Sequence, residues 1–179
     1  MPRIRPIPKE RAAVLLRSLY EQSERELGAT PNLVKSLAHR PELLITFANF
    51  QRELFTGGAL PPKTKQLVAL RVAALDACAY LLAQHRAAAR RAGLSDAQVA
   101  ALESARPAES GLFDEQEKTV LAFVEKILRQ PGSVSDTDVE RLRKWFGEAH
   151  LAELVLLAGA VNLLGRFALC FAVETDPLV

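Results

Sequence analysis

The chain has 179 residues, of which 49% are hydrophobic and 25% are charged, and its formal net charge is +2. This length fits a single domain, residues 1–179, with a core that needs no disulfide or metal to hold it. The charge balance gives no clustered basic face, so we expect no nucleic-acid partner. Two distant cysteines, Cys78 and Cys170, do not make a disulfide framework and indicate a reducing, cytoplasmic compartment.

Helix-forming residues dominate the sequence and strand signals are nearly absent, which predicts an all-α, multi-helix bundle. Start and stop signals predict nine helices. They cover about residues 9–27, a short segment after 31, 41–55, 61–75, 76–93, a short segment after 95, 114–130, 135–147 and 151–173. The predicted side-chain caps are Thr30, Asp76, Ser95 and Ser135, the last two in capping boxes with Gln98 and Asp138.

The last predicted helix, residues 151–173, is long enough to span a bilayer. However, it contains Glu153, Asn162 and Arg166, and an arginine in the middle of a span costs about 3 kcal/mol or more. We therefore expect no membrane partner. The segment is apolar on nearly every side, which predicts a core helix surrounded by other helices, some of them from another subunit.

The fifth predicted helix begins in the stretch "DACAYLLAQH", Asp76–His85, and carries a cysteine and a histidine on one face. Cys78 and His85 are seven positions apart, so they differ by about 20° around the helix and about 10 Å along it. One interpretation is a core histidine with one hydrogen bond, beside a cysteine that packs as a small hydrophobe. The other is a functional site, because a polar ring in an apolar face needs a partner or a role.

Residues 60–102, "LPPKTKQLVALRVAALDACAYLLAQHRAAARRAGLSDAQVAAL", resemble the core of the carboxymuconolactone decarboxylase and alkylhydroperoxidase D superfamily. The similar features are the helix ending "LVALRVAAL", the "AxY…QH" helix and the "ARRAGLSDAQVAAL" segment that follows. Residues 113–173 look like the second half of that family, whereas residues 1–59 are helical and less diagnostic. The resemblance implies an alkylhydroperoxidase D-like helical bundle that assembles as a homo-oligomer, a trimer or a hexamer.

The peroxidase branch of that family uses a glutamate, a C-x-x-C pair and a histidine. On this chain the resemblance places Gln66 at the glutamate position, Cys78 at the first cysteine and His85 at the histidine. Leu81 stands where the second cysteine would be. No C-x-x-C disulfide can form, and the implied proton relay lacks its carboxylate. Cys170 is a conceivable replacement thiol if the fold brings it within disulfide range of Cys78.

The decarboxylase branch is similar in keeping the histidine after a tyrosine-containing helix, and it needs neither the cysteine pair nor a cofactor. Its chemistry requires a cationic anchor for carboxylates and a proton donor for a developing enolate. His85 is the candidate proton donor. Arg71 and Arg166 are the candidate anchors, with Asn162 four residues before Arg166 on the same face. Each arginine has a purely structural alternative, which is an ion pair with a carboxylate nearby.

Three functions remain open at this stage. The first is a cofactor-independent acid/base enzyme on a small carboxylated lactone or related organic acid, with His85 as proton donor or acceptor. The second is a thiol peroxidase that works through Cys78, which Leu81 and Gln66 disfavour. The third is a non-catalytic protein that binds a small molecule or assembles. The histidines and cysteines show no short ligand spacing, so we expect no metal.

Overall fold

The computed structural model describes residues 1–177, which form nine α-helices joined by short turns and four 3-10 segments, with no strand in that range. The helices are α1 Arg17–Leu27, α2 Asn32–Leu37, α3 Pro41–Thr56, α4 Pro62–Leu75, α5 Ala79–Arg91, α6 Asp96–Leu102, α7 Glu115–Arg129, α8 Asp136–Arg143 and α9 Glu148–Phe171. This architecture confirms the predicted all-α class.

Local sequence signals set most of the helix ends. The Ser95 and Ser135 capping boxes form as predicted, and Asp114 with Glu117 makes a third at the start of α7. In each box the side chain of the capping residue accepts a hydrogen bond from a backbone N–H that has no partner within the helix. Helices α3 and α4 begin with proline. Proline is favourable there because it has no backbone N–H, and an N–H at the first helical position would lack a partner within the helix.

Three predicted helix ends were wrong. The first helix begins at Arg17 rather than near Lys9, because Ala12 and Ala13 are extended and break the segment into two 3-10 turns. Thr30 does not cap α2, since its hydroxyl donates to the Tyr20 carbonyl instead. Gly147 does not end α8 but begins α9.

Helix α4 lies at the centre of the bundle and packs against α5, α7 and α9. Its residues 67–73 are all buried, so the helix has no solvent face along that stretch. Two cations, Lys65 and Arg71, are buried with it. Lys65 Nζ lies 3.0 Å from Glu153 Oε1 of α9, so this carboxylate pairs with Lys65 and not with Arg166 of the same helix. An uncompensated buried charge is costly, and pairing removes that cost.

Within this chain helix α9 is only partly enclosed, so the prediction that helices of another subunit complete its surroundings stays a prediction. One face packs on the core, with Leu154, Leu157, Val161 and Leu164 buried. The other face is a stripe of exposed apolar side chains, which we call the α9 stripe: Val155 at 46%, Leu156 at 52%, Leu163 at 52% and Leu169 at 46% exposure. By length and composition alone α9 is a candidate membrane span, a test that core helices of soluble proteins also pass.

Candidate functional site

The turn between α4 and α5 positions the residues of interest. The two helices form an antiparallel hairpin, so Gln66 near the start of α4 faces His85 in α5. Ala77 in the turn has a φ of 51°, a conformation that is strained for alanine. Cys78, not Asp76, is the N-cap residue of α5, and no side chain caps this helix. The predicted cap was wrong because the Asp76 carboxylate points to α9 instead.

His85 is partly buried and has one hydrogen-bond partner. Its Nδ1 lies 3.0 Å from Oε1 of Gln66, and its ring stacks on Phe55 with the centroids 5.7 Å apart and the planes 24° from parallel. Loss of solvation lowers the pKa of His85 to about 4. The imidazole is therefore neutral at physiological pH.

The bond to Gln66 decides which nitrogen carries the proton. An amide oxygen only accepts hydrogen bonds, so Nδ1–H of His85 donates to Gln66 Oε1. The other nitrogen, Nε2, then carries a lone pair. It has no hydrogen-bond partner among residues 1–177, and it is not among the enclosed polar atoms of that range. The arrangement leaves a neutral proton acceptor at the surface of the hairpin.

Cys78 is buried, with 1% of its surface exposed. Burial raises the pKa of its thiol, the backbone N–H groups of Tyr80 and Leu81 act in the opposite direction, and the Asp76 carboxylate adds to the increase. The thiol is therefore protonated, which is unfavourable for a nucleophile that reacts as the thiolate. No disulfide joins Cys78 to Cys170, which is exposed on α9, and both thiols are free.

Asp76, Asn162 and Arg166 form a hydrogen-bonded chain between the hairpin and α9. Asn162 Nδ2 donates to Asp76 Oδ1 at 2.8 Å and to Oδ2 at 3.0 Å, and Arg166 Nε donates to Asn162 Oδ1 at 2.9 Å. Burial raises the pKa of Asp76, while Asn162 and Arg166 act to lower it. Gly165 makes room for this carboxylate, since a Cβ there would lie 2.6 Å from Asp76 Oδ2.

The two candidate anchors have different environments. Arg71 is 2% exposed and uses all five of its N–H groups, on Glu125 and on the carbonyls of residues 102, 104 and 105. It has no donor left for a substrate. Its partner is Glu125 and neither Asp76 nor Glu103, which lie nearer in sequence. Arg166 is exposed, and only its Nε has a partner within residues 1–177.

The remaining histidines lie away from this site. His39 is exposed and its Nε2 is 2.9 Å from the Arg5 carbonyl oxygen. His150 packs against Phe146 at the start of α9. Among residues 1–177 there is no group of three or more histidine, cysteine or acidic side chains able to hold a metal ion.

The two best-defined pockets do not include His85 or Cys78. One lies beside Gln84 and the other beside Thr137. The functional interpretation predicts a cavity that reaches the imidazole, and neither pocket supplies it. His85 instead reaches the outer surface of the hairpin, where Gln66 and Phe55 are also only partly buried.

Comparison with known proteins gives both sequence and fold relationships. The profile of the carboxymuconolactone decarboxylase family matches residues 41–126. An uncharacterized protein, YdfG of Bacillus subtilis (strain 168), is 26% identical over 107 residues, which are 59% of this chain and 71% of that protein.

Two crystal structures share the fold. An uncharacterized peroxidase-related protein from Ralstonia eutropha JMP134, described as an alkylhydroperoxidase AhpD core, superposes with a TM-score of 0.87, at 18% identity, over 98% of this chain and 93% of that one. A cysteine-to-alanine variant of the debrominase Bmp8, in complex with 2,3,4-tribromopyrrole, superposes with a TM-score of 0.79, at 18% identity, over 97% of this chain and 91% of that one. Residues 41–126, just under half of the chain, therefore match the carboxymuconolactone decarboxylase family, and the chain as a whole has an AhpD-like fold.

Proposed function

We propose that the chain is a carboxymuconolactone decarboxylase-like enzyme that uses no cofactor and acts on a small carboxylated lactone or a related organic acid. His85 is its proton donor and acceptor. The observation that carries the proposal is the hydrogen bond from His85 Nδ1–H to Gln66 Oε1, because it leaves Nε2 unpartnered at the surface of the hairpin.

The low pKa of His85 suits a group that acquires its proton together with the substrate. An anion placed within about 4–6 Å of an imidazole favours the charged form and raises its pKa. A bound carboxylate would therefore draw a proton onto Nε2. Gln66 is neutral and adds no charge to hold that proton, so His85 releases it more readily than it would beside a carboxylate.

Arg166 is the proposed anchor for the substrate carboxylate. Asn162 orients its guanidinium through Nε, and the remaining N–H groups have no partner within residues 1–177. A guanidinium binds a carboxylate through two parallel hydrogen bonds. A Cβ at Gly165, the neighbour of Arg166, would lie 3.4 Å from Leu81 Cδ1, and Leu81 is one helical turn before His85. The proposal therefore requires a substrate that reaches from the Asp76 turn, where Asn162 holds Arg166, to His85.

The proposed reaction breaks the bond between the carboxylate carbon of the substrate and the carbon atom that carries it. The electron pair of that bond passes into the adjacent unsaturated carbonyl system as carbon dioxide leaves, which gives an enolate. Protonated His85 then delivers the proton from Nε2 to carbon and returns to its neutral form. The net change consumes one proton from solvent and needs no oxidant or reductant.

A thiol reaction through Cys78 is the alternative that the fold relatives suggest. The Ralstonia protein is described as peroxidase-related, and the debrominase complex was obtained with a cysteine-to-alanine variant. In this chain the thiol is buried and protonated, and Leu81 replaces the second cysteine. These observations favour the acid/base proposal over the thiol alternative.

The test is a screen of small carboxylated lactones and keto acids for release of carbon dioxide, with peroxides screened in parallel. We expect His85→Gln to lower turnover about 10²–10⁴-fold, which is the contribution typical of a general acid or base. Arg166→Gln should mainly raise KM, and Cys78→Ser should leave turnover unchanged. Peroxide turnover that depends on Cys78 would replace the proposal with the thiol reaction. No turnover on any compound would leave the binding or assembly function.

We also propose that the chain assembles as a homo-oligomer, a trimer or a hexamer, through the α9 stripe. Four large apolar side chains, Val155, Leu156, Leu163 and Leu169, are 46–52% exposed within about 140° around the helix, a sector that also contains Arg166, and exposed apolar surfaces of this kind mark interaction sites. Light scattering coupled to size exclusion should give a mass that is a multiple of the 19.6 kDa chain. Leu156→Glu with Leu163→Glu should reduce it to the monomer, whereas a monomeric wild-type protein would contradict the proposal.

A further inference from the structure

Helix α5 carries three residues with polar groups, and one alanine, along the side that faces away from His85. Tyr80, Gln84, Ala87 and Arg91 recur at a spacing of four, three and four residues, so they lie within about 60° of one another around the helix. Cys78 and His85 lie on the other side. The enzymatic proposal does not use this stripe.

A cavity of about 190 Å³ lies over the stripe. Its walls come from three parts of the chain that are far apart in sequence: the segment from the end of α1 into α2, helix α5, and the segment that follows α9. The side chains with polar groups on this lining are Thr30, Asn32, Lys35, Gln84, Arg91 and Asp176.

One wall of the cavity already holds a carboxylate. Asp176 Oδ1 accepts a hydrogen bond of 2.7 Å from the backbone N–H of Asn32. Its Oδ2 accepts bonds of 2.5 Å from the Tyr80 hydroxyl and 2.7 Å from Gln84 Nε2. Burial raises the pKa of Tyr80, so its hydroxyl remains a donor. All three donors are uncharged, and they satisfy this carboxylate without the help of a cation.

The two cations of the cavity are therefore available. Neither Lys35 nor Arg91 has an ion-pair or side-chain hydrogen-bond partner among residues 1–177. With Asp176 the three charged groups sum to +1, which favours an anion over a cation. The neighbouring Arg90, by contrast, pairs with Asp96 at 2.5 Å.

We propose that this cavity binds a small organic carboxylate, with Lys35 and Arg91 as its counter-ions and Gln84 as a neighbouring polar wall. The volume corresponds to about six water molecules at liquid density, which suits a mono- or dicarboxylic acid of a few carbons. Ligand sites for larger molecules usually occupy 300–1,000 Å³. The site lies on the far side of α5 from His85 and is distinct from the proposed catalytic site.

The experiment is equilibrium dialysis of the full chain against radiolabelled succinate at pH 7 and low salt. We expect saturable binding, with one succinate per chain remaining in Arg166→Gln, weakened about tenfold by Lys35→Gln and about tenfold by Arg91→Gln. A matched control is Arg90→Gln, which removes the same charge from the adjacent exposed position outside the cavity and should leave affinity unchanged.

Arg166→Gln separates this site from the proposed catalytic site, which also binds carboxylates. Binding that survives Arg166→Gln and is lost in Lys35→Gln and Arg91→Gln supports the inference. Three outcomes would overturn it: no saturable binding by the wild-type chain, loss of binding in Arg166→Gln alone, or equal weakening by Arg90→Gln. Far-UV circular dichroism of each variant checks that the helices are intact.

Discussion

Arg71→Met is expected to lower the free energy of unfolding by about 3–5 kcal/mol. The guanidinium is almost fully buried at the centre of the bundle and joins α4 to α7 through Glu125. It also donates to the carbonyls of Leu102, the last residue of α6, and Ser104, two residues beyond it, which have no partner within that helix. Methionine fills a similar volume but leaves these carbonyl acceptors unpaired and the Glu125 carboxylate with only Arg129, 4.0 Å away.

Urea denaturation at pH 7 measures this loss, and Arg86→Met is the matched control. Arg86 also forms a bidentate ion pair with a glutamate, Glu103, but the Arg86 side chain is 44% exposed. Exposed pairs contribute about 0–1 kcal/mol, so the control should cost no more than that. Arg71→Lys keeps the charge with fewer donors and should lie between the two. Equal losses for Arg71→Met and Arg86→Met would contradict the structural role of Arg71.

The stability of the protein is expected to fall by up to about 3 kcal/mol between pH 6.5 and pH 4 because of His85. The pKa of this histidine is about 4 in the folded state and about 6.5 in the unfolded chain. Between these values the unfolded chain binds a proton that the folded protein does not. Stability therefore rises with pH through this window, and the contribution is complete above pH 6.5.

Denaturation curves at several pH values measure the effect, and the difference between wild type and His85→Gln isolates it from the carboxylates that titrate in the same range. The variant should show a flatter dependence than the wild-type protein. Gln66→Glu places a carboxylate against Nδ1, so the pKa of His85 should rise by about 1–3 units in an NMR titration. An unchanged slope in His85→Gln would contradict the assigned burial of this ring.

The sequence alone determined the features that depend on neighbouring residues. The helical class, the proline starts and the two predicted capping boxes follow from spacing within one or two turns, where each signal and its target are a few residues apart. The shared face of Cys78 and His85 stays a prediction, because Cys78 is the N-cap residue of α5 and lies outside its regular turns. Leu81 at the position of the second cysteine likewise argues against a dithiol reaction without any structure.

Only the tertiary structure decided how the polar groups pair. Arg71 binds Glu125, 54 positions away, and Asp76 accepts from Asn162, 86 positions away, although nearer partners were plausible in both cases. Asp176 reaches Tyr80 across 96 positions and completes a cavity that no motif predicts. Such pairs form because packing buries the groups and an unsatisfied buried charge is costly, and that constraint acts between helices whose order along the chain does not specify their contacts.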